Sequence, residues 1–125
     1  MTWTADTSLL YAAFDENDPR RIAARPPIAG TEAWIVAMPV LVEFLDLVRY
    51  RHDAATARAV LGDLQSLPTF RVTDVADHDA ALELWRRHPE LSVADACAIQ
   101  VAWANRATLQ SFDGDQLAVW QARKE

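Results

Sequence analysis

Short β-like runs separated by longer helical ones recur along the whole chain, and that alternation restricts the fold more than any other feature. The runs are Trp3-Thr4-Ala5, Ala33 to Ala37, Thr69 to Val72 and Leu109 to Phe112. Helical pattern fills the gaps: Ser8 to Phe14, then a short helix opened by Pro19 and closed by Pro26-Pro27 and Gly30. Further helices are expected over Pro39–Arg51, Asp53–Leu67, Asp77–His88, Ser92 to about Asn105, and Gln116–Arg123. Strands joined through helices pair in parallel with right-handed crossovers. The expectation is an α/β fold, a three-layer α/β/α sandwich whose central parallel sheet has four strands, or five if the C-terminal segment adds one. No internal repeat, low-complexity tract or linker interrupts the 125 residues, so 1–125 reads as one domain.

No apolar run approaches the ~20 residues of a membrane span. The N-terminus has no basic segment followed by a long apolar stretch, so a cytoplasmic protein is expected, with no membrane association. Cys97 is the one cysteine and has no intramolecular partner, in keeping with a reducing compartment. With 18 acids against 12 Lys+Arg, the net charge of −6 disfavours nucleic-acid binding by charge alone. Divalent cations held among those acids reverse the local balance, so the placement of the acids matters more than their number.

In open parallel sheets the functional crevice lies beyond the carboxyl ends of the strands, and acids stand at those exits. Asp6 ends the first run, where an N-cap is its plain role. Glu43 is a single acid inside the apolar stretch Pro39 to Leu45. It lies at the edge of the apolar face, within about 40° of Leu47, while Asp46 points farther away. Asp95 opens a helix that is apolar nearly all round, at capping-box spacing from Ser92. Cap and crevice are compatible roles, because a helix start lies where the crevice would be. Asp113-Gly114-Asp115 follows the last run; as a turn it would be solvated, but it too stands at a strand exit.

Such a carboxylate cluster suits the hard cations Mg²⁺ or Mn²⁺. His52, His78, His88 and Cys97 share no zinc-ligand spacing. Carboxylate-held divalent ions can activate a water and stabilise the leaving oxygen of a phosphodiester. No phosphate-cradling glycine loop, Gly-x-Ser-x-Gly or Cys/His pair offers another chemistry.

The segments Ala5-Asp6-Thr7-Ser8-Leu9-Leu10, Leu41-Val42-Glu43-Phe44, Leu91-Ser92-Val93-Ala94-Asp95-Ala96 and Ser111-Phe112-Asp113-Gly114-Asp115 resemble, in order and approximate spacing, the motifs of PIN domains. The resemblance is specifically to VapC-type toxin ribonucleases of bacterial toxin–antitoxin pairs, and it spans nearly the whole chain. It implies a metal-dependent endoribonuclease with Asp6, Glu43, Asp95 and Asp113 as the acidic site and Asp115 as an additional ligand. Asp6 and Asp95 would be the principal metal ligands, Glu43 a ligand or orienter of the attacking water, and Asp113 or Asp115 the ligand of a second ion. Ser8 and Ser111 fall where the family has small hydroxyl or amide residues; Ser111 replaces the more usual Thr. Gln116-Leu117 stands where an aromatic is often found, which leaves the choice between Asp113 and Asp115 open. The resemblance further implies a homodimer and a small VapB-type antitoxin that covers the crevice. RNA would be held by arginines, with Arg20, Arg21 and Arg25 the first candidates and Arg49, Arg51, Arg86, Arg87 and Arg106 the others.

Other readings are weighed against this one. A receiver-type signalling domain would need paired acids after the first strand and a late internal lysine, whereas Asp6 stands alone and Lys124 is terminal. A non-catalytic scaffold has no use for clustered repulsion. Structured-RNA processing or DNA cleavage by the same acids is the closer rival, since the acids specify a phosphodiester and not which one.

Overall fold

A computed structural model describes residues 2–21, 23–24 and 32–123. Four strands, β1 (Thr2–Ala5), β2 (Ala33–Ala37), β3 (Phe70–Thr73) and β4 (Thr108–Gln110), form one parallel sheet in the order β3-β2-β1-β4. Six helices are complete among the described residues: α1 (Thr7–Phe14), α2 (Met38–Arg51), α3 (Ala54–Gln65), α4 (His78–Arg87), α5 (Val93–Ala104) and α6 (Gly114–Ala122). The chain steps outward from β1 to β2 to β3, then returns to the far side of β1. With right-handed crossovers, that reversal puts helices on both faces of the sheet. It also makes the boundary between β1 and β4 a topological switch point, where the two neighbouring strand exits diverge.

The apolar pattern explains the packing. β2 is the sequence Ala-Trp-Ile-Val-Ala, buried from Trp34 to Ala37, as an inner parallel strand covered on both faces requires. Trp34 stacks on Trp3 of β1 with ring centroids 5.9 Å apart, while α5 buries Ala94 and every residue from Ala96 to Ala102. That helix contacts β1, β2, α2, α4 and α6, so it organises the core and holds the half-buried Asp95 in its first turn at the edge of the cleft.

The helix starts follow local chemistry. Asp53, Asp77, Asp6 and Asp113 each cap a helix by accepting backbone N–H bonds, Ser92 and Asp95 form a reciprocal capping box, and Pro39 supplies the first turn of α2. α5 ends in a Schellman turn: Ala107 N–H bonds to Ala102 C=O at 2.8 Å and Arg106 N–H to Trp103 C=O at 3.3 Å, with Arg106 at φ 51°.

Several expected boundaries move. α6 begins at Gly114 rather than Gln116, because Asp113 caps it; the expected solvated Asp-Gly turn is a helix start. β4 ends at Gln110, leaving Ser111 and Phe112 beyond the strand. No fifth strand occurs among the described residues. After α1, Arg21, Ala23 and Ala24 are helical, but Pro19 lies in the turn before them rather than in the first helical turn. The Asp18 carboxylate accepts from Arg20 N–H there, and the Asp18 carbonyl from Arg21 N–H. Arg25 and the expected closing residues Pro26, Pro27 and Gly30 lie outside the described residues. Among the described residues, no helix is long and apolar enough to cross a membrane.

Candidate metal centre

Asp6 is the first residue beyond β1 and is only 2% exposed. Its position is a consequence of sheet register: Ala5 pairs with Gln110, so Asp6 N–H reaches Gln110 C=O and the Asp6 side chain meets Ser111 across the switch point. The carboxylate accepts Leu9 N–H at 3.0 Å, Ser8 Oγ at 2.8 Å from both oxygens, and Ser111 Oγ at 2.8 Å. Burial pushes its pKa up; those three donors oppose the rise, and the nearby charge of Asp95 adds to it. An ionised carboxylate held this deep is expensive unless a cation answers it.

The two serines do more than hydrogen-bond Asp6. Ser8 Oγ also accepts Phe112 N–H at 3.3 Å, and Ser111 Oγ accepts Asp113 N–H at 2.9 Å. A continuous run of bonds therefore ties the exit of β1 to the start of α6. Gln116 completes the frame from below. Its side chain is fully buried, its Nε2 donates to Asp95 C=O at 3.2 Å, and its backbone N–H meets Asp113 Oδ1 at 3.3 Å. The starts of α5 and α6 are thereby locked together, each with one acid at its tip.

These elements enclose a cleft of about 420 Å³, with Asp6, Glu43, Asp95 and Asp113 in its lining. Asp18 adds a fifth carboxylate, and Arg20 and Arg51 are the arginines there among the described residues. Glu43, an exposed residue in the N-terminal half of α2, makes no hydrogen bond to another described residue. Asp115 does not line the cleft; it is exposed in the first turn of α6, which separates it from Asp113. Arg20 is in the lining, Arg21 is not, and Arg25 lies outside the described residues. A second cleft of about 440 Å³, between α4 and α5, sets Asp77 and Glu83 among Arg87 and Arg123 and shows no comparable excess of acids.

Among the described residues, no three carboxylates, thiols or imidazoles already converge on one point. The donors nevertheless suit a hard, hydrated cation. All are oxygens, and outside Asp6 one oxygen each of Asp95 and Asp113 and both of Glu43 accept no bond from a described residue. Mg²⁺ characteristically takes one or two carboxylates and keeps several waters, which a loose ring of this kind accommodates. Cys97 is buried in α5 with its thiol pKa raised by burial, the behaviour of a core residue.

Sequence reasoning passed over three residues that shape the cleft: Tyr11, Asp18 and Gln116. Gln116 had a visible signal, since Asp113 and Gln116 stand at capping-box spacing. That signature assigns the wrong partner, because the glutamine side chain turns to Asp95 instead of back to Asp113.

The PIN domain family model matches residues 4–120. Among solved structures, VapC20 of Mycobacterium tuberculosis, described as a sarcin–ricin loop cleaving toxin, is 26% identical with a TM-score of 0.80, covering 94% of each chain. VapBC2 of Rickettsia felis, bound to a promoter DNA fragment, is 14% identical with a TM-score of 0.64, covering 90% of this chain and 100% of that one. A toxin–antitoxin complex from Klebsiella pneumoniae is 20% identical with a TM-score of 0.59, covering 86% and 82%. No curated protein matches this chain in sequence.

Proposed function

The chain belongs to the PIN domain family, and from that membership we propose that it is a VapC-type toxin: a divalent-metal-dependent endoribonuclease restrained by a small antitoxin. One observation carries the reading. A buried aspartate at the switch point shares its cleft with four further acids, Asp18, Glu43, Asp95 and Asp113, a concentration of like charge that helix capping alone does not require. Mg²⁺ or Mn²⁺ bound there would acidify a water and draw charge from the phosphate.

The chain's own residues have distinct parts. Asp6 and Asp95 would be the principal ligands of the ion, with Ser8 and Ser111 fixing the Asp6 carboxylate. Glu43, exposed and unbonded, orients the attacking water and accepts its proton. Asp113 is the ligand on the α6 side, and Asp115 is displaced from that role by its exposed position. The similarity to VapC20 makes the sarcin–ricin loop the first substrate to test.

An antitoxin arginine is the natural occupant of a carboxylate cleft, because its planar fork bridges two carboxylates and excludes metal and substrate together. Homodimerisation belongs to the same proposal; Met38 and Val42 on α2 and Leu82 and Trp85 on α4 are apolar side chains left exposed for such contacts.

The deciding experiment is RNA cleavage by purified wild-type and Asp95→Asn protein in Mg²⁺ and Mn²⁺, with circular dichroism to show that both are folded. Loss of at least about 100-fold in rate is expected for the variant. Cleavage by folded Asp95→Asn at the wild-type rate would remove the assignment.

A further inference from the structure

We propose that Arg51 grips an RNA phosphate flanking the scissile one, an inference that rests on the ribonuclease reading of the cleft. The two arginines in the lining are held in opposite ways. Arg20 gives its Nε and Nη2 to the Asp18 carboxylate, both at 3.1 Å, and its guanidinium sits 4.7 Å from the centre of the Phe112 ring. Its charge is answered within the chain. Arg51 forms no ion pair with a described residue; its guanidinium stands 4.8 Å over the Tyr11 ring. A guanidinium supported by a ring keeps its N–H donors available, and their fork matches two phosphate oxygens.

The support is rigid. Tyr11 is buried, its hydroxyl lies 3.5 Å from His52 Nε2, and the edge of Phe14 packs against both rings. An arginine held over such a platform loses less conformational freedom on binding than one moving in solvent. Helix geometry sets its range. Glu43, Leu47 and Arg51 lie four residues apart on α2, and all three line the cleft. Arg51 therefore stands about 12 Å along the helix from Glu43. That offset takes it away from the phosphate under attack and towards a neighbouring one, so its role is positioning.

The test measures binding apart from cleavage. In an Asp95→Asn background, a 5′-labelled RNA hairpin carrying the sarcin–ricin loop is titrated in Mg²⁺ over a series of KCl concentrations and followed by fluorescence anisotropy. Arg51→Ala should weaken binding about tenfold and reduce the slope of log Kd against log [KCl] by about 0.7. Arg51→Lys should restore the slope but not the full affinity, because it keeps the charge and loses the fork. Arg49→Ala, an exposed charge outside this cleft, controls for net charge alone. Equal effects from Arg51→Ala and Arg49→Ala would overturn the proposal. Wild-type cleavage of the same RNA is assayed in parallel. A chain that cleaves RNA while Arg51→Ala binds unchanged removes only this inference; one that neither cleaves nor binds RNA removes the ribonuclease reading with it.

Discussion

At the scale of single residues, the decisive fact is that Asp6 serves two incompatible demands. As a cap it satisfies Leu9 N–H and two serine hydroxyls, yet as a buried charge beside Asp95 it is strained electrostatically. Because its folded pKa lies above the ordinary value of 3.8, the native state binds this proton more readily than the unfolded chain. The Asp6 contribution to stability is thus fully present below the unfolded value and is lost as pH rises through the raised folded one. At neutral pH without metal, Asp6→Asn should raise stability by about 1 kcal/mol, roughly 4 °C in Tm, while abolishing cleavage. Asparagine keeps the capping oxygen, so the helix start survives. The advantage should grow from pH 4 to 7. Asp18 and Asp53, whose pKa values are lowered by hydrogen bonds from Arg20 and Thr56, lose stability in the opposite sense, as pH falls. Melts of wild type and variant at matched pH cancel those two groups; a variant that melts lower at pH 7 in chelator contradicts the account.

At the scale of elements, the site depends on how the starts of α5 and α6 are joined. Gln116 is the joint, and its Oε1 is buried without a partner among the described residues, so the same residue that positions the acids also costs stability. Gln116→Leu preserves volume while deleting both the bond to Asp95 and the unpaired oxygen. These losses and gains are of similar size, each about 1 kcal/mol, so Tm should shift little. Metal affinity should fall about tenfold, as when an outer partner of a ligand is removed. Calorimetry with Mn²⁺ against a thermal melt separates the two effects. A large fall in Tm with unchanged affinity would mean that Gln116 is only a packing residue.

At the scale of the whole molecule, an acidic chain opens a cleft whose charges repel one another, and anything cationic that enters it stabilises the native state by mass action. Saturating Mn²⁺, at 100 times Kd, should add about 2.7 kcal/mol, with the shift absent in Asp95→Asn. An arginine-bearing antitoxin peptide should stabilise the protein through the same acids. The two ligands are expected to compete: excess Mn²⁺ should weaken inhibition by the peptide, and Arg→Ala in the peptide should weaken its binding. Additive stabilisation by metal and peptide would place the peptide elsewhere on the surface.

What the sequence determined by itself was the local layer. The β-like runs, the helix starts near Asp53, Asp77 and Ser92, and the proline at the start of α2 are governed by neighbours within a few residues, so period and turn chemistry are enough to read them. The acids at the strand exits were legible for the same reason, as was a crevice beyond a parallel sheet. Tertiary structure alone decided which polar groups meet. Asp6 touches Ser111 across 105 positions because strand order puts β4 beside β1 and the register aligns Ala5 with Gln110. Asp113 enters the cleft and Asp115 does not because the helix begins between them, turning one inward and the other to solvent. Gln116 reaches Asp95, and Arg51 comes to rest over Tyr11, through contacts between elements far apart in the chain. Such contacts depend on packing angles and register, which are set by the sum of the core's apolar burial and leave no local trace.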